Sequence, residues 1–298
     1  MTTIRFLAEP CLTQAHEAAA KKLISRVHQN DGSRRDPYLN NDFNTFKEMP
    51  AFFLAFYGPR LVGLLTLYAD ESPQDGEVDV TINVLPEFRR RKIAQHLWRD
   101  AKRTLKRYGY EHAEFLSEHA FLKQNPNFLT KTKLQPDEIS EFQLVAPSTP
   151  KKSQISTDPL QVRLITEQDI PNLLPVYMAA FDETDGSGSA RYLKTAVRKQ
   201  NGYVALLDGE TIGYSAVDFG DYNYLFGLFI AEKYRGQGLG TRFVHDLMVK
   251  TANQYPFKLG VDSDNIAAIK IYQHNGFETE TQLFYLTAQE GPWAMTSE

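Results

Sequence analysis

Arg235-Gly236-Gln237-Gly238-Leu239-Gly240 decides the reading of this chain. It follows an apolar run, Tyr224-Leu225-Phe226-Gly227-Leu228-Phe229-Ile230, and a polar turn, Ala231-Glu232-Lys233-Tyr234. The run is short, aromatic-rich and β-branched at its end, which reads as a buried strand. Beyond the glycines, Leu239, Phe243, Val244, Leu247, Met248 and Thr251 recur at helical spacing, so an amphipathic helix begins there. Strand, glycine turn and helix make an anion site. Glycines let the backbone approach a ligand, and free N–H groups at a helix start point at a phosphate.

The dinucleotide fingerprint G-x-G-x-x-G fails in both registers, because Thr241 and Phe243 stand where its last glycine belongs. The ATP-binding P-loop fails as well, since no Gly-Lys-Ser/Thr is present. Arg-x-x-Gly-x-Gly after a strand ending Leu-Phe-Ile instead resembles the acyl-CoA pyrophosphate loop of the GNAT superfamily of N-acyltransferases. The downstream blocks agree: Leu259-Gly260-Val261-Asp262, then Asn265-Ile266-Ala267-Ala268-Ile269-Lys270-Ile271-Tyr272, then Gly276-Phe277. The resemblance implies an α/β fold, a mixed twisted sheet flanked by helices, and acetyl-CoA as co-substrate without a metal.

The resemblance also implies site residues. Backbone N–H groups from Arg235 through Gly236, Gln237, Gly238, Leu239, Gly240 and Thr241 hold the pyrophosphate. Leu228 offers its N–H to the thioester oxygen at a bulge in the strand, and Phe229 and Ile230 follow the pantetheine arm. Asn265, Ala268 and Tyr272 share one helix face. Tyr272 is the proton donor to the leaving thiolate, and Asn265 reads equally as a helix cap after Asp262-Ser263-Asp264. The plain alternative for Tyr272 is an ordinary core tyrosine. The base that takes the amine proton is not legible. Tyr224 stands where some relatives carry a carboxylate, and Asp218, Asp221, Asp182, Glu183 and Asp185 are nearby acids that read first as solvated turn residues. Thr184 to Ser189 is flexible by composition and reads as a lid over the acceptor.

The same order of elements appears twice. In the first half a strand at Ile4-Arg5-Phe6 and a helix capped by Thr13 precede a hairpin, Phe52–Tyr57 with Leu61–Tyr68. The strand Val78–Val84, the turn Pro86-Glu87-Phe88 and a helix reaching Tyr108 follow. In the second half the matching pieces are Val162-Arg163-Leu164, a helix capped by Thr166, and a hairpin formed by residues 203–207 and 211–217. Aligning the two turns sets Ile93 beside Leu239, Leu97 beside Phe243, Trp98 beside Val244 and Ala101 beside Leu247, so both helices bury the same face. This is a duplicated domain. The expected division is 1–146, a linker at 147–159 rich in Pro, Ser and Lys, and 160–298.

The first copy of the loop reads Arg89-Arg90-Arg91-Lys92-Ile93-Ala94. Lys92 replaces Gly238, and a non-glycine residue in left-handed geometry costs about 1–2 kcal/mol. A rough alignment puts Leu129 opposite Tyr272 and Lys133 opposite Gly276. The first domain is therefore expected to keep the fold without the chemistry. Its basic run reads as a solvated helix face, because no aromatic or groove motif accompanies it.

Composition sets outer limits. The 298 residues are 42% hydrophobic and 23% charged with a net charge of −4, which carries no polyanion-binding signature. One cysteine, Cys11, allows no internal disulfide. No apolar h-region follows Met1 and no run reaches membrane-spanning length, so a soluble cytoplasmic protein is expected. The seven histidines show no metal-ligand spacing. The expected function is acetyl transfer from acetyl-CoA to a small-molecule or peptide amine, without nucleic acid or membrane. The rivals are a non-catalytic acyl-CoA-binding regulator and a dinucleotide oxidoreductase. Oligomeric state has no sequence signal.

Overall fold

The computed structural model describes all residues except 1–2, 75, 151–159, 185 and 297–298. In chain order the elements are β1 (Ile4–Glu9), α1 (Gln14–Asp31), β2 (Phe52–Tyr57), β3 (Arg60–Tyr68), β4 (Val78–Val84), α2 (Ile93–Arg107) and β5 (Ala113–Glu118). Two short helices, α3 (His119–Gln124) and α4 (Phe128–Thr132), lead to β6 (Gln135–Pro136) and β7 (Glu141–Ala146). The pattern resumes with β8 (Gln161–Leu164), α5 (Ile170–Ala180), α6 (Ser187–Lys199), β9 (Gly202–Leu207), β10 (Glu210–Phe219) and β11 (Asn223–Ile230). It closes with α7 (Leu239–Thr251), β12 (Phe257–Asp262), α8 (Ile266–His274) and β13 (Glu278–Thr287).

Local chemistry sets these boundaries. The Thr13 hydroxyl accepts from His16 N–H at 3.2 Å to start α1, and Gly32 at φ 69° ends it. Thr166 and Asp169 form a reciprocal capping box ahead of α5. Arg163 donates two bonds of 2.7 Å to the Asp169 carboxylate, and this pairing holds its pKa down at about 2.

The chain divides into two compact units. One takes the residues through Ser140 together with those from Thr281 onward, and the other is Glu141–Glu280. The sheet of the first unit runs β1-β2-β3-β4-β5-β13, and that of the second runs β7-β12-β11-β10-β9-β8. Within each, only the β4–β5 and β11–β12 neighbours are parallel. These units are not the consecutive halves 1–146 and 160–298. Each takes its sixth strand from the far side of the expected boundary. β13 lies antiparallel to β5 from Leu283↔Glu118 to Leu286↔Phe115, and β7 lies antiparallel to β12 from Phe257↔Ala146 to Asp262↔Glu141. Side-chain alternation fixes which face of a strand is buried, and it leaves the identity of the strand's partner open. Leu286 joins the core of the first unit, while Leu144 and Ala146 join that of the second.

In the second unit, successive residues of β9 and β10 enter different cores. Tyr203, Ala205, Ile212 and Val217 pack with the α7 residues Phe243, Val244 and Leu247. Val204, Leu206, Tyr214 and Ala216 pack with Leu173, Tyr177 and Leu193 of α5 and α6. Period-two alternation in β9, and in β10 after the register shift between Thr211 and Gly213 moves its phase, places α7 on one face of the sheet and α5 with α6 on the other. α2 and α7 bury the faces expected for them, Ile93, Leu97, Trp98 and Ala101 matching Leu239, Phe243, Val244 and Leu247.

One expectation changes. Ser187, Gly188 and Ser189 begin α6 rather than forming a flexible lid, and the Ser189 hydroxyl donates to the Glu183 carboxylate. Asp185 lies outside the described residues. β7 ends at Ala146, residues 147–150 of the expected linker have no regular structure, and its residues 151–159 lie outside the described residues.

Candidate functional site

The glycine loop has the geometry its composition demands. Gly236 has φ 76° and Gly238 φ 78°, both left-handed, and a Cβ added at either would meet nothing within 4 Å. Glycine is therefore the residue this backbone conformation favours, and the loop faces open space. Arg235 Nε donates to the Ile230 carbonyl at 3.1 Å and Gln237 Nε2 to the Lys233 carbonyl at 3.2 Å, which ties the loop to the strand end. The first backbone bond of α7 runs from Arg242 N–H to the Gly238 carbonyl at 3.2 Å. The N–H groups of Leu239, Gly240 and Thr241 thus precede the helical ladder and are the ones an anion can take.

Upstream, β11 carries a bulge. Its register against β10 passes from Tyr214↔Phe229 to Ala216↔Phe226, so Gly227 and Leu228 together face a single β10 residue. Gly227 adopts φ 60°, the left-handed position such a bulge uses. The parallel ladder to β12 ends at Leu225↔Leu259, although both strands continue. Past that point the strands part, and Gly227 and Leu228 have no register partner on either side. A backbone donor is displaced at the opening between two strands, beside the glycine loop. Phe229 and Ile230 return to register with β10 and are buried, Phe229 toward α5 and Ile230 toward α7.

α8 packs against α7, the helix that follows the glycine loop. Tyr272 is 6% exposed, and its ring lies 5.8 Å from that of Phe277. Burial, with Tyr224 close by, pushes its pKa up to about 12, so the phenol keeps its proton through neutral pH. Asn265 caps α8, its side-chain oxygen accepting from Ala268 N–H at 3.1 Å; the capping reading of Asn265 is the one its contact supports. Ala268 packs against the core of the second unit. Gly240 serves a close approach, since a Cβ there would come within 2.9 Å of the Ile271 Cδ1. Asn275 Nδ2 donates to the Thr241 carbonyl at 3.0 Å, joining the two helices.

On the opposite face two phenols reach the bulge. A Cβ added at Gly227 would lie 3.1 Å from the Tyr192 hydroxyl and 3.7 Å from that of Tyr177. Sequence reasoning missed both, because α5 and α6 carry no motif and the contact exists only once the helices pack on the sheet. Tyr224 is half-buried and in register with Asp218 of β10 and Lys258 of β12. Asp221 and Asp182 are exposed. Among the described residues no group of three or more His, Cys, Asp or Glu side chains could hold a metal ion, and no helix is long and apolar enough to cross a membrane.

The first copy keeps the backbone of the loop. Arg90 and Lys92 take φ 60° and 61°, in the left-handed region that Gly236 and Gly238 occupy, and Arg89 Nε donates to the Val84 carbonyl at 3.0 Å. The strain expected of Lys92 is thus accepted rather than avoided. What the first copy lacks is the bulge, since β3 and β4 stay in register from Gly63↔Val84 to Tyr68↔Asp79. It also lacks the tyrosine. Lys133 has φ 60° after α4 and Gly276 φ 86° after α8, which supports setting Leu129 opposite Tyr272 and Leu134 opposite Phe277.

The acetyltransferase (GNAT) family model matches residues 17–127 and again 170–277. No curated protein matches the sequence. A GCN5-related N-acetyltransferase from Sphaerobacter thermophilus aligns with a TM-score of 0.74 at 11% identity, over 95% of this chain and 94% of its own. A tandem GNAT protein from the clavulanic acid biosynthesis pathway aligns at 0.64 and 16% identity, over 95% and 98%. A GNAT-family acetyltransferase from Colwellia psychrerythraea aligns at 0.60 and 14%, over 95% and 99%. At such identities the likeness speaks to the fold, and the family rests on the two sequence matches. With one match in each half of the sequence, the chain belongs to the acetyltransferase (GNAT) family and carries its domain twice.

Proposed function

We propose that the chain transfers an acetyl group from acetyl-CoA to a primary amine, and that the chemistry belongs to the Glu141–Glu280 unit. The observation that carries this is the bulge at Gly227-Leu228, placed where β11 parts from β12 and present in only one of the two copies. The residues fit the co-substrate. The loop from Arg235 to Thr241 offers unladdered N–H groups and open space for a pyrophosphate. When bound, the thioester supplies the acyl carbon and a sulfur leaving group.

The chain's own residues would meet two demands of the transfer. Leu228 N–H donates to the carbonyl oxygen as negative charge develops there, the kind of preorganised donor whose loss costs about 10²–10³ in rate in other acyl-transfer sites. The amine nitrogen bonds to the carbonyl carbon as the carbon–sulfur bond breaks, the Tyr272 hydroxyl provides the proton the sulfur takes up, and the proton the nitrogen sheds passes to solvent, from which the phenol is reloaded. A buried phenol with a raised pKa is a proton donor that stays loaded at neutral pH. The acceptor must arrive as free amine, so the rate rises with pH below the amine's own pKa. We place the protein in the cytoplasm, a reading supported by its single exposed cysteine, Cys11.

The test is release of free thiol from acetyl-CoA by the full chain over a panel of alkylamines, polyamines, aminoglycosides and peptide N-termini. Amine-dependent release is expected. Release that no amine stimulates, or tight NAD binding without CoA binding, contradicts the reading.

A further inference from the structure

Strand β7 brings a carboxylate to the opening beside the bulge. Glu141 is in register with Asp262 of β12, and Gln143 with Gly260. Counted from Leu225↔Leu259, the last rung between β11 and β12, Asp262 and Leu228 each lie three residues further on. Glu141 therefore stands level with the bulge, with β12 between them. Its side chain lies back over Gly260: a Cβ at that glycine would sit 2.5 Å from Glu141 Oε1 and 2.7 Å from its Cδ. Gly260 does not take positive φ, so what its missing side chain provides is room for the carboxylate rather than backbone freedom.

The carboxylate is on the face left to an acceptor. Phe257, Leu259 and Val261 of β12 pack with α7, as do Phe142, Leu144 and Ala146 of β7. Alternation turns Gly260 and Glu141 the other way, to the face of α5 and α6 from which Tyr177 and Tyr192 reach Gly227. α7 follows directly on the glycine loop and covers the first face, so an amine has the second from which to meet a thioester. The other acids of this face are engaged or distant. Glu280 accepts from Lys258 Nζ at 2.8 Å and from Gln143 Nε2 at 2.6 Å. Asp218 is in register with Tyr224, three residues short of Gly227 and roughly 10 Å along the strand. Asp262 is exposed at the strand end, whereas Glu141 is half-buried with its Oε1 out of solvent.

Resting on the reading of the second unit as an amine acetyltransferase, we propose that Glu141 takes the proton the acceptor nitrogen sheds. As the nitrogen–carbon bond forms and the carbon–sulfur bond breaks, one nitrogen-bound proton moves to a Glu141 carboxylate oxygen and from there to solvent. Tyr272 protonates the sulfur, so proton loss and proton gain fall to separate residues. The exchanged strand β7 thus completes the site of the second unit with a residue from the first half of the sequence.

The experiment measures amine-dependent thiol release by the full chain and by Glu141→Gln, Glu141→Ala and Gly260→Ala, with acetyl-CoA affinity read by calorimetry. Glu141→Gln keeps the shape of the side chain and cannot take a proton. Its kcat is expected to fall about 10²-fold, in the range of a lost general base, with acetyl-CoA affinity unchanged. Added formate is expected to raise kcat several-fold in Glu141→Ala, where it finds space, and to leave Glu141→Gln as it is. Gly260→Ala puts a methyl where the carboxylate lies. It is expected to lower kcat at least tenfold in the wild-type background and to cost nothing further in Glu141→Ala, a coupling that two independent structural defects do not give. The inference is overturned if Glu141→Gln turns over as the wild type does, if its acetyl-CoA affinity falls along with kcat, if formate leaves Glu141→Ala unchanged, or if Gly260→Ala costs the same in both backgrounds. A wild type without amine-dependent release overturns the acetyl-transfer reading and this inference with it.

Discussion

Arg235 and Ile230 are joined across the turn, the guanidinium Nε donating to the strand-end carbonyl at 3.1 Å, and Arg89 repeats the bond with Val84 at 3.0 Å. The arginine that resembles a phosphate ligand by motif is first a strap that sets the exit of the strand into the glycine loop. Arg235→Ala is expected to lower stability by about 1 kcal/mol, the net worth of such a bond, and to weaken acetyl-CoA binding because the loop loses its anchor. Arg235→Lys does not rescue it, since an ammonium cannot reproduce the planar Nε donor. Thermal melts and calorimetric titration with acetyl-CoA read the two effects.

Gly227→Ala probes the bulge. Left-handed geometry costs a non-glycine residue about 1–2 kcal/mol, and the new methyl would press on the Tyr192 hydroxyl at 3.1 Å. The variant is expected to lose stability and turnover together. Adding Tyr192→Phe removes the pressing oxygen and leaves the strain, so the double variant recovers part of the Tm and little of the rate. A double-mutant cycle that shows the two sites additive contradicts this contact.

Asn265 separates two readings of one residue. As the cap of α8 it accepts from Ala268 N–H, and Asn265→Ala is expected to cost about 1 kcal/mol. The KM for acetyl-CoA should not move. A raised KM at unchanged Tm identifies it as a co-substrate contact instead.

The first unit carries a pH-dependent cost. Glu114 and Asp79 are register partners on β5 and β4, and burial, then the neighbouring Asp79 and Glu77 charges, push the Glu114 carboxyl up to about 8. Its folded-state pKa lies above the ordinary carboxylate value. Stability is therefore highest below that ordinary value and falls as pH rises toward about 8. Glu114→Gln keeps the shape of the protonated form. Its Tm should exceed the wild type by several degrees at pH 8.5 and match it near pH 4. Equal melts at both pH values contradict the assignment.

The sequence made some of this legible and hid the rest for physical reasons. Strands such as Val78–Val84 and the helix after Lys92 were readable because alternation and helical spacing are local. Gly236 and Gly238 were readable because composition and backbone conformation coincide there. Lys92 misled, because side-chain identity suggests an interrupted loop, yet the surrounding fold holds φ at 61° regardless. The exchange of β7 and β13 was not readable, since Glu141–Ala146 would complete either sheet by its own alternation. Nor were the Tyr177 and Tyr192 hydroxyls, which reach Gly227 only through the packing of α5 and α6.

In the proposed reaction the buried phenol of Tyr272, in the unit with the bulge, serves acyl transfer. Steady-state kinetics of Tyr272→Phe with the best amine of the panel tests it most directly. The expected result is a fall in kcat of about 10²-fold, in the range of a lost general acid, with the KM for acetyl-CoA unchanged. In the wild type, kcat should rise with pH through 9 without a basic limb from this residue, whose proton is held to about 12. Wild-type kcat in the phenylalanine variant would remove Tyr272 from the reaction and leave it a core tyrosine.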